Sequence, residues 1–170
     1  MEGGANVAVY SERADKVVVS IFDHRGREKQ TVLTERTGHV FHGFVPGLTA
    51  GTRHGLRVHG PWDPANGLRF SPAKVLLPPR SRAVTGSWDN TQAVFGHQLG
   101  RPRRRSDTNG ARHVALGVAV DRQEFDWGDH ERPHTPLSET IIYELHVKGF
   151  TKLMEWVPEE FRGSYAGLAH

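Results

Sequence analysis

Cysteine is absent from the 170 residues. That excludes a disulfide scaffold and any thiolate metal site, and it fits a reducing, cytoplasmic setting. Long apolar runs are also missing, since no stretch approaches the ~18 residues of a membrane span. The opening Met1-Glu2-Gly3-Gly4 has neither a basic nor an apolar segment of the kind a secretory signal carries. There is no Walker loop, no Gly-x-Ser-x-Gly elbow and no Gly-x-Gly-x-x-Gly fingerprint, so neither phosphate-cradle nor nucleophile-elbow chemistry is indicated. Charge of one sign is scarce too: 22 Lys and Arg face 19 Asp and Glu, a net +3. Part of that excess sits at Arg101, Arg103, Arg104 and Arg105, interrupted by Pro102 and followed by Ser106-Asp107-Thr108-Asn109-Gly110. With no nucleic-acid-reading motif nearby, this run reads as a solvated loop, and neither nucleic acid nor membrane is expected as a partner.

With 36% hydrophobic and 24% charged residues the chain can bury a core. The first half reads as β-structure. Val7–Tyr10 is a short apolar run, Lys16–Phe22 is β-branched, and Glu28–Leu33 resumes an extended pattern after the turn Asp23-His24-Arg25-Gly26. His39–Val45 and Arg53–His59 alternate polar and apolar residues as half-buried strands do. Short strands at this spacing predict an antiparallel sandwich or barrel. From Pro78 to Pro136 the chain is rich in Pro, Gly, Arg and Asp and reads as an irregular connection with a few short elements, such as Val114–Val120. Thr140–Val147 is the clearest late strand, and Pro158-Glu159-Glu160-Phe161 looks like a helical first turn. One strand and one turn do not make a fold, so the C-terminal part reads as incomplete.

Eleven histidines raise the question of a metal. His39 and His42, like His54 and His59, differ by odd numbers, which on extended strands puts the two members on opposite faces. No metal site and no cofactor is expected. Two opposed carboxylates would suit glycosidic-bond hydrolysis. Asp121, Glu124, Asp126 and Asp129, and separately Glu155, Glu159 and Glu160, are close neighbours in sequence and read instead as solvated charge. The aromatics are a better lead, because sugar C–H faces stack on Trp and Tyr. Trp62 follows a strand in the turn-rich Gly60–Gly67 and is the candidate substrate-binding residue; its alternative is packing beneath that loop. Trp88, Trp127 and Trp156 read as packing residues.

Several stretches, in register along the whole chain, resemble one family. Asn6-Val7-Ala8-Val9-Tyr10-Ser11, Val19-Ser20-Ile21-Phe22-Asp23 and Phe41-His42-Gly43-Phe44-Val45-Pro46-Gly47-Leu48 are similar to the N-terminal domain of isoamylase-type glycogen-debranching enzymes. The most specific stretch is Gly55-Leu56-Arg57-Val58-His59-Gly60-Pro61-Trp62-Asp63-Pro64 with Gly67-Leu68-Arg69-Phe70-Ser71-Pro72-Ala73-Lys74. Phe125-Asp126-Trp127-Gly128, Arg132-Pro133, Ile142–Thr151 and Arg162–Leu168 resemble the lead-in, first barrel strand and following segment of the α-amylase superfamily.

The resemblance implies an immunoglobulin-like antiparallel β-sandwich, a carbohydrate-binding module, over residues 1–75, an irregular linker over 76–136, and the first strand of an incomplete (β/α)8 barrel over 137–170. For the full-length family it implies hydrolysis of α-1,6-glucosidic branches of glycogen by an Asp nucleophile, a Glu acid/base and a supporting Asp on later barrel strands, none of which this chain contains. No catalytic residue carries over, and the chain by itself is expected to be inactive. In sugar-binding relatives two Trp and a Lys form the platform; Trp62 falls near one Trp position, while His24 or Arg25 occupies the turn of the other. After Pro72-Ala73-Lys74 the family's Leu-Leu-Asp-Pro-Tyr-Ala-Arg is replaced by Leu76-Leu77-Pro78-Pro79-Arg80-Ser81-Arg82-Ala83. The expected partner is an α-glucan, glycogen or branched dextrin. The alternatives are a non-catalytic glucan-binding module, and a structural domain that docks on a separate barrel-bearing chain.

Overall fold

The structure, a computed structural model, describes residues 3–121, 128–129, 131 and 133–170. The chain divides into two compact units, Met1–Asp126 and Trp127–His170. The first is mainly β. Its strands are β1 (Gly4–Tyr10), β2 (Lys16–Phe22), β3 (Glu28–Val32), β4 (Glu35–Thr37), β5 (Val40–Pro46), β6 (Arg53–His59), β7 (Trp62–Asp63), β8 (Leu68–Arg69), β9 (Ala83–Thr85), β10 (His97–Gln98), β11 (Arg101–Arg105) and β12 (Leu116–Val118). They form a three-stranded sheet β1-β5-β4, a five-stranded sheet β3-β2-β6-β12-β9, and the ribbons β7-β8 and β10-β11. All the pairings are antiparallel.

Strand β2 shows why the larger sheet is central. Its residues alternate faces, and Val17, Val18, Val19, Ser20 and Phe22 are all buried. Val17 and Val19 join Leu33, Phe41, Val45, Leu48 and Leu56 in one core shared with the three-stranded sheet. Phe22 belongs to a second, smaller core with Val75 and Leu116. The five-stranded sheet is therefore covered on both faces.

The chain after residue 72 supplies that second cover. Leu56 and Leu76 exchange backbone hydrogen bonds of 2.9 and 2.8 Å. The approach is close because Gly55 has no side chain: a Cβ there would lie 2.3 Å from Val75 Cγ1. Farther on, β12 adds to β6 through Gly117↔His54 and Val118↔Arg53. The segment that reads as an irregular connection is thus partly built into the first unit. Its strands are only two to five residues long and carry Pro, Gly and Arg, so their pairing comes from distant partners rather than from local pattern.

The second unit contains two short helices, α1 (Val147–Thr151) and α2 (Tyr165–Leu168). The His146 side chain caps α1 by accepting from the Gly149 N–H at 2.9 Å. Thr151, almost fully buried, accepts from the Gly163 N–H at 2.8 Å. Arg162 donates to the carbonyls of Val157 and Glu155. Pro158 precedes a 3-10 turn, Glu159–Phe161, as the acidic Pro-led pattern indicates.

The barrel strand expected at the C-terminal end is not shown. Residues 140–146 belong to no sheet among the described residues, and Val147 opens α1. Ile141 is 95% exposed and Ile142 80%. Strand propensity is strong in Ile141-Ile142-Tyr143, but a strand needs a hydrogen-bonding neighbour, and none is present among the described residues. The lead-in motifs Phe125-Asp126-Trp127 and Arg132 lie outside the described residues. No helix among the described residues is long and apolar enough to cross a membrane.

Candidate functional site

Strand β6 ends at His59, and Gly60-Pro61 turn the chain into the β7-β8 ribbon. Trp62 pairs with Arg69 and Asp63 with Leu68 across a 3-10 turn, Pro64–Asn66. The Asn66 side chain donates to Asp63 Oδ2 at 2.6 Å, and Gly67 takes the left-handed conformation (φ 80°) that closes the turn. Phe70 packs on the bare backbone of Gly60, where a Cβ would sit 2.6 Å from its ring.

Trp62 is half-buried at the edge of a cleft of about 770 Å³. Tyr10, Trp62 and Phe70 give it aromatic walls, and Arg13, Arg69 and His97 put polar groups among its lining. Its volume falls in the usual range for ligand sites, roughly 300–1,000 Å³. Apolar rings beside charged and hydrogen-bonding groups match the two faces of a sugar. The Trp62 indole is also tied down: Nε1–H donates to the Arg103 carbonyl at 2.8 Å, and Gly96 lies against its six-membered ring. That bond fixes the ring orientation and leaves the indole N–H committed.

The other candidate positions do not converge there. His24 and Arg25 are exposed in the β2–β3 turn and do not line the Trp62 cleft. In that turn the Asp23 carboxylate accepts from the N–H groups of Arg25 and Arg27 and from the Arg27 side chain. Hydrogen bonds from Arg27 hold its pKa below the usual carboxylate value. Among the described residues no three His, Asp or Glu stand together as a metal cage. Burial lowers the pKa of His54. Burial also lowers that of His59, with Lys16, Arg105 and Arg57 adding to the effect. Asp121, Asp129, Glu155, Glu159 and Glu160 are exposed; Glu124 and Asp126 lie outside the described residues. Trp88 and Trp156, which read as packing residues, are 59% and 72% exposed, and Trp127 is outside the described residues.

Two buried cations fasten the segments around the cleft, Lys74 among its lining and Arg57 not, and sequence pattern did not single them out. Arg57, 5% exposed, makes a bidentate ion pair with Glu28 at 2.6 and 2.8 Å. It also donates to the Pro72 carbonyl and to Asn109 Oδ1. Ser20 and Gln30 donate to the same carboxylate. The Arg57 hydrogen bond, the largest cause, lowers the Glu28 pKa to about 2, so Glu28 is ionised at neutral pH and is no proton donor. Lys74, 6% exposed, donates to the Ala93 carbonyl at 2.8 Å, the Ser106 hydroxyl at 3.3 Å and the Thr108 carbonyl at 2.7 Å. Burial lowers its pKa, with Asp107 opposing. The signal available in sequence was their place beside Gly55 and Pro72 in the most specific stretch.

Comparison with known proteins gives a consistent set of likenesses. Residues 1–81 match the family model described as carbohydrate-binding module 48 (isoamylase N-terminal domain). A glycogen debranching enzyme of Pectobacterium atrosepticum is 41% identical over 167 residues, 98% of this chain and 25% of the relative. One from Salmonella typhi is 42% identical with the same coverage. The chain spans about a quarter of the length of the curated relatives it matches. Among solved structures, the catalytic module of the glycogen-degrading pneumococcal virulence factor SpuA, in complex with an inhibitor, superposes with a TM-score of 0.55. It covers 88% of this chain and 20% of that one at 15% identity. At that identity the likeness speaks to fold alone.

Proposed function

We propose that this chain, whose residues 1–81 match the carbohydrate-binding module 48 (isoamylase N-terminal domain) family model, supplies the α-glucan-recognising module of a bacterial glycogen debranching enzyme. The first unit is read as that family's immunoglobulin-like sandwich. The ligand is a branched α-glucan, glycogen or a dextrin derived from it, met in the cytoplasm. The polypeptide itself hydrolyses no bond. The observation that carries the reading is Trp62: an oriented, half-exposed indole beside Phe70 and Tyr10 in a cleft of about 770 Å³. Support for inactivity comes from carboxylates among the described residues: Asp121, Asp129, Glu155, Glu159 and Glu160 are exposed, and Glu28 is locked to Arg57.

Native affinity electrophoresis in glycogen-containing gels tests the assignment. The purified chain is expected to be retarded, and Trp62→Phe, which keeps a ring but loses the bond to Arg103, to be retarded less. Unchanged migration of the folded chain across the glycogen range would refute the binding role. Release of reducing ends from a branched dextrin by the pure chain would refute inactivity.

A second reading has its own observation. The indole N–H is already bonded to Arg103 within the chain, so Trp62 also suits a structural module that docks on a catalytic barrel. On that reading Trp62→Phe lowers thermal stability and leaves migration in glycogen unaltered.

A further inference from the structure

The β10-β11 ribbon has an uneven register. His97 pairs with Arg105 and Gln98 with Arg101, so one step on β10 faces four on β11. Pro102, Arg103 and Arg104 stand out of the ladder as a bulge, a device that re-aims side chains and concentrates beside functional sites. Arg101, Arg103 and Arg104 are exposed, and none of their side chains has an acidic partner among the described residues. Only Arg105 does, in a 3.3 Å pair with Asp107. Three guanidinium groups within four residues are held without counter-charge on a short fixed ribbon.

The ribbon is also part of the glucan cleft. Its His97 and the preceding Gly96 line that cleft, and the Arg103 carbonyl is the acceptor for Trp62. Guanidinium groups present paired N–H donors that fit phosphate oxygens, and unlike ammonium they do so with planar geometry.

We propose that the Arg101–Arg104 bulge recognises phosphate monoesters carried on the same branched glucan that stacks in the Trp62 cleft, so that the module prefers phosphorylated glucan over neutral glucan. This rests on the glucan reading above, and the chemistry is that of a sugar phosphate next to an aromatic platform. Continuity of the basic bulge with that platform favours a charged glucan over a nucleic acid.

The test compares the full chain with Arg101→Gln/Arg103→Gln/Arg104→Gln, in which the backbone carbonyl that holds Trp62 is kept. Affinity is measured for a phosphorylated maltodextrin, for the same dextrin after phosphatase treatment, and for an oligo(dT) of equal charge. Circular dichroism confirms that the variant is folded. The expected result is about tenfold tighter binding of the phosphorylated dextrin, the order of three exposed ion pairs acting together. That gain disappears in the triple variant and in high salt, while the neutral dextrin binds both proteins alike. Equal affinity for the two dextrins, or a gain that survives the triple substitution, overturns the proposal and leaves the glucan assignment intact. Oligo(dT) binding as tight as the phosphorylated dextrin overturns it in favour of a nucleic-acid surface. Failure of both dextrins to bind removes the glucan assignment and this inference together.

Discussion

Replacing Arg57 with Met separates the electrostatic from the packing role of the buried ion pair. Arg57 is 5% exposed, and the Glu28 side chain it pairs with is 17% exposed. Truncating one partner of such a pair leaves a carboxylate in a poorly solvated site, a change that costs about 3–5 kcal/mol. Ser20 and Gln30 still donate to Glu28, which puts the expected loss near the lower end, about 3 kcal/mol. Against a typical total of roughly 5–15 kcal/mol that is a large share.

The pH dependence supplies the sharper signature. Glu28 has its folded pKa depressed from 4.5 to about 2, so its contribution is fully present above pH 4.5 and is lost as pH falls toward 2. At 1.36 kcal/mol per pH unit the fall amounts to roughly 3 kcal/mol, reduced to about 2 by solvent reaching the carboxylate. In Arg57→Met the main cause of the depression is gone and burial opposes ionisation, so this part of the acid sensitivity vanishes. Urea unfolding followed by tryptophan fluorescence at pH 7 and pH 3 measures the first quantity and the part of the second that lies between pH 4.5 and 3, about three-fifths of it. The reasoning is refuted if the variant lies within about 1 kcal/mol of the parent at pH 7, or if both lose the same stability between the two pH values.

Two further outcomes are expected from the same structure. Lys74→Met strands the carbonyls of Ala93 and Thr108 and the Ser106 hydroxyl, at a cost of about 1–3 kcal/mol; hydrogen exchange should accelerate across residues 93–110, and unchanged exchange there would show that Lys74 is not the fastening. Backbone amides of residues 141–146 should exchange within seconds while those of Val17–Ile21 stay protected for hours; strong protection of Ile141 and Ile142 in the monomeric chain would contradict the exposed, unladdered backbone.

Strands β2 and β6 were legible because their reasons are local. Val17-Val18-Val19 is β-branched, and Arg53–His59 alternates, so each was read within its true bounds. Strands β9 and β11 were not, and β12 only as a short element within Val114–Val120, since what makes Leu116-Gly117-Val118 a strand is the edge of β6 more than fifty residues earlier. Ile141-Ile142-Tyr143 differs in the opposite direction: propensity is present, and no neighbour among the described residues pairs with it. Trp62 was legible as a candidate from its place after a strand in a turn-rich loop, but its bond to Arg103 was not, because nothing in sequence ties residue 62 to residue 103. Arg57 and Lys74 look like surface residues by composition; only the three-dimensional crossing of segments 72–74 and 106–110 shows that each has its donors consumed inside.

The fastening of those crossings has a consequence for how the domain can vary. The backbone departs at Ser71–Lys74 and returns at Ser106–Gly110, and the two places are stitched by Ser71 to Ser106, Lys74 to Thr108 and Gly110 to Ala73. Entry and exit of the intervening stretch are therefore fixed side by side. Val75, Leu76 and β9 within it belong to the sandwich, so the interchangeable piece is the β10-β11 hairpin, whose base is tied by the Ser106 N–H to the Gly96 carbonyl at 2.8 Å: its length and charge can drift, or be swapped by design, while the sandwich keeps its register and the rim acquires a new preference.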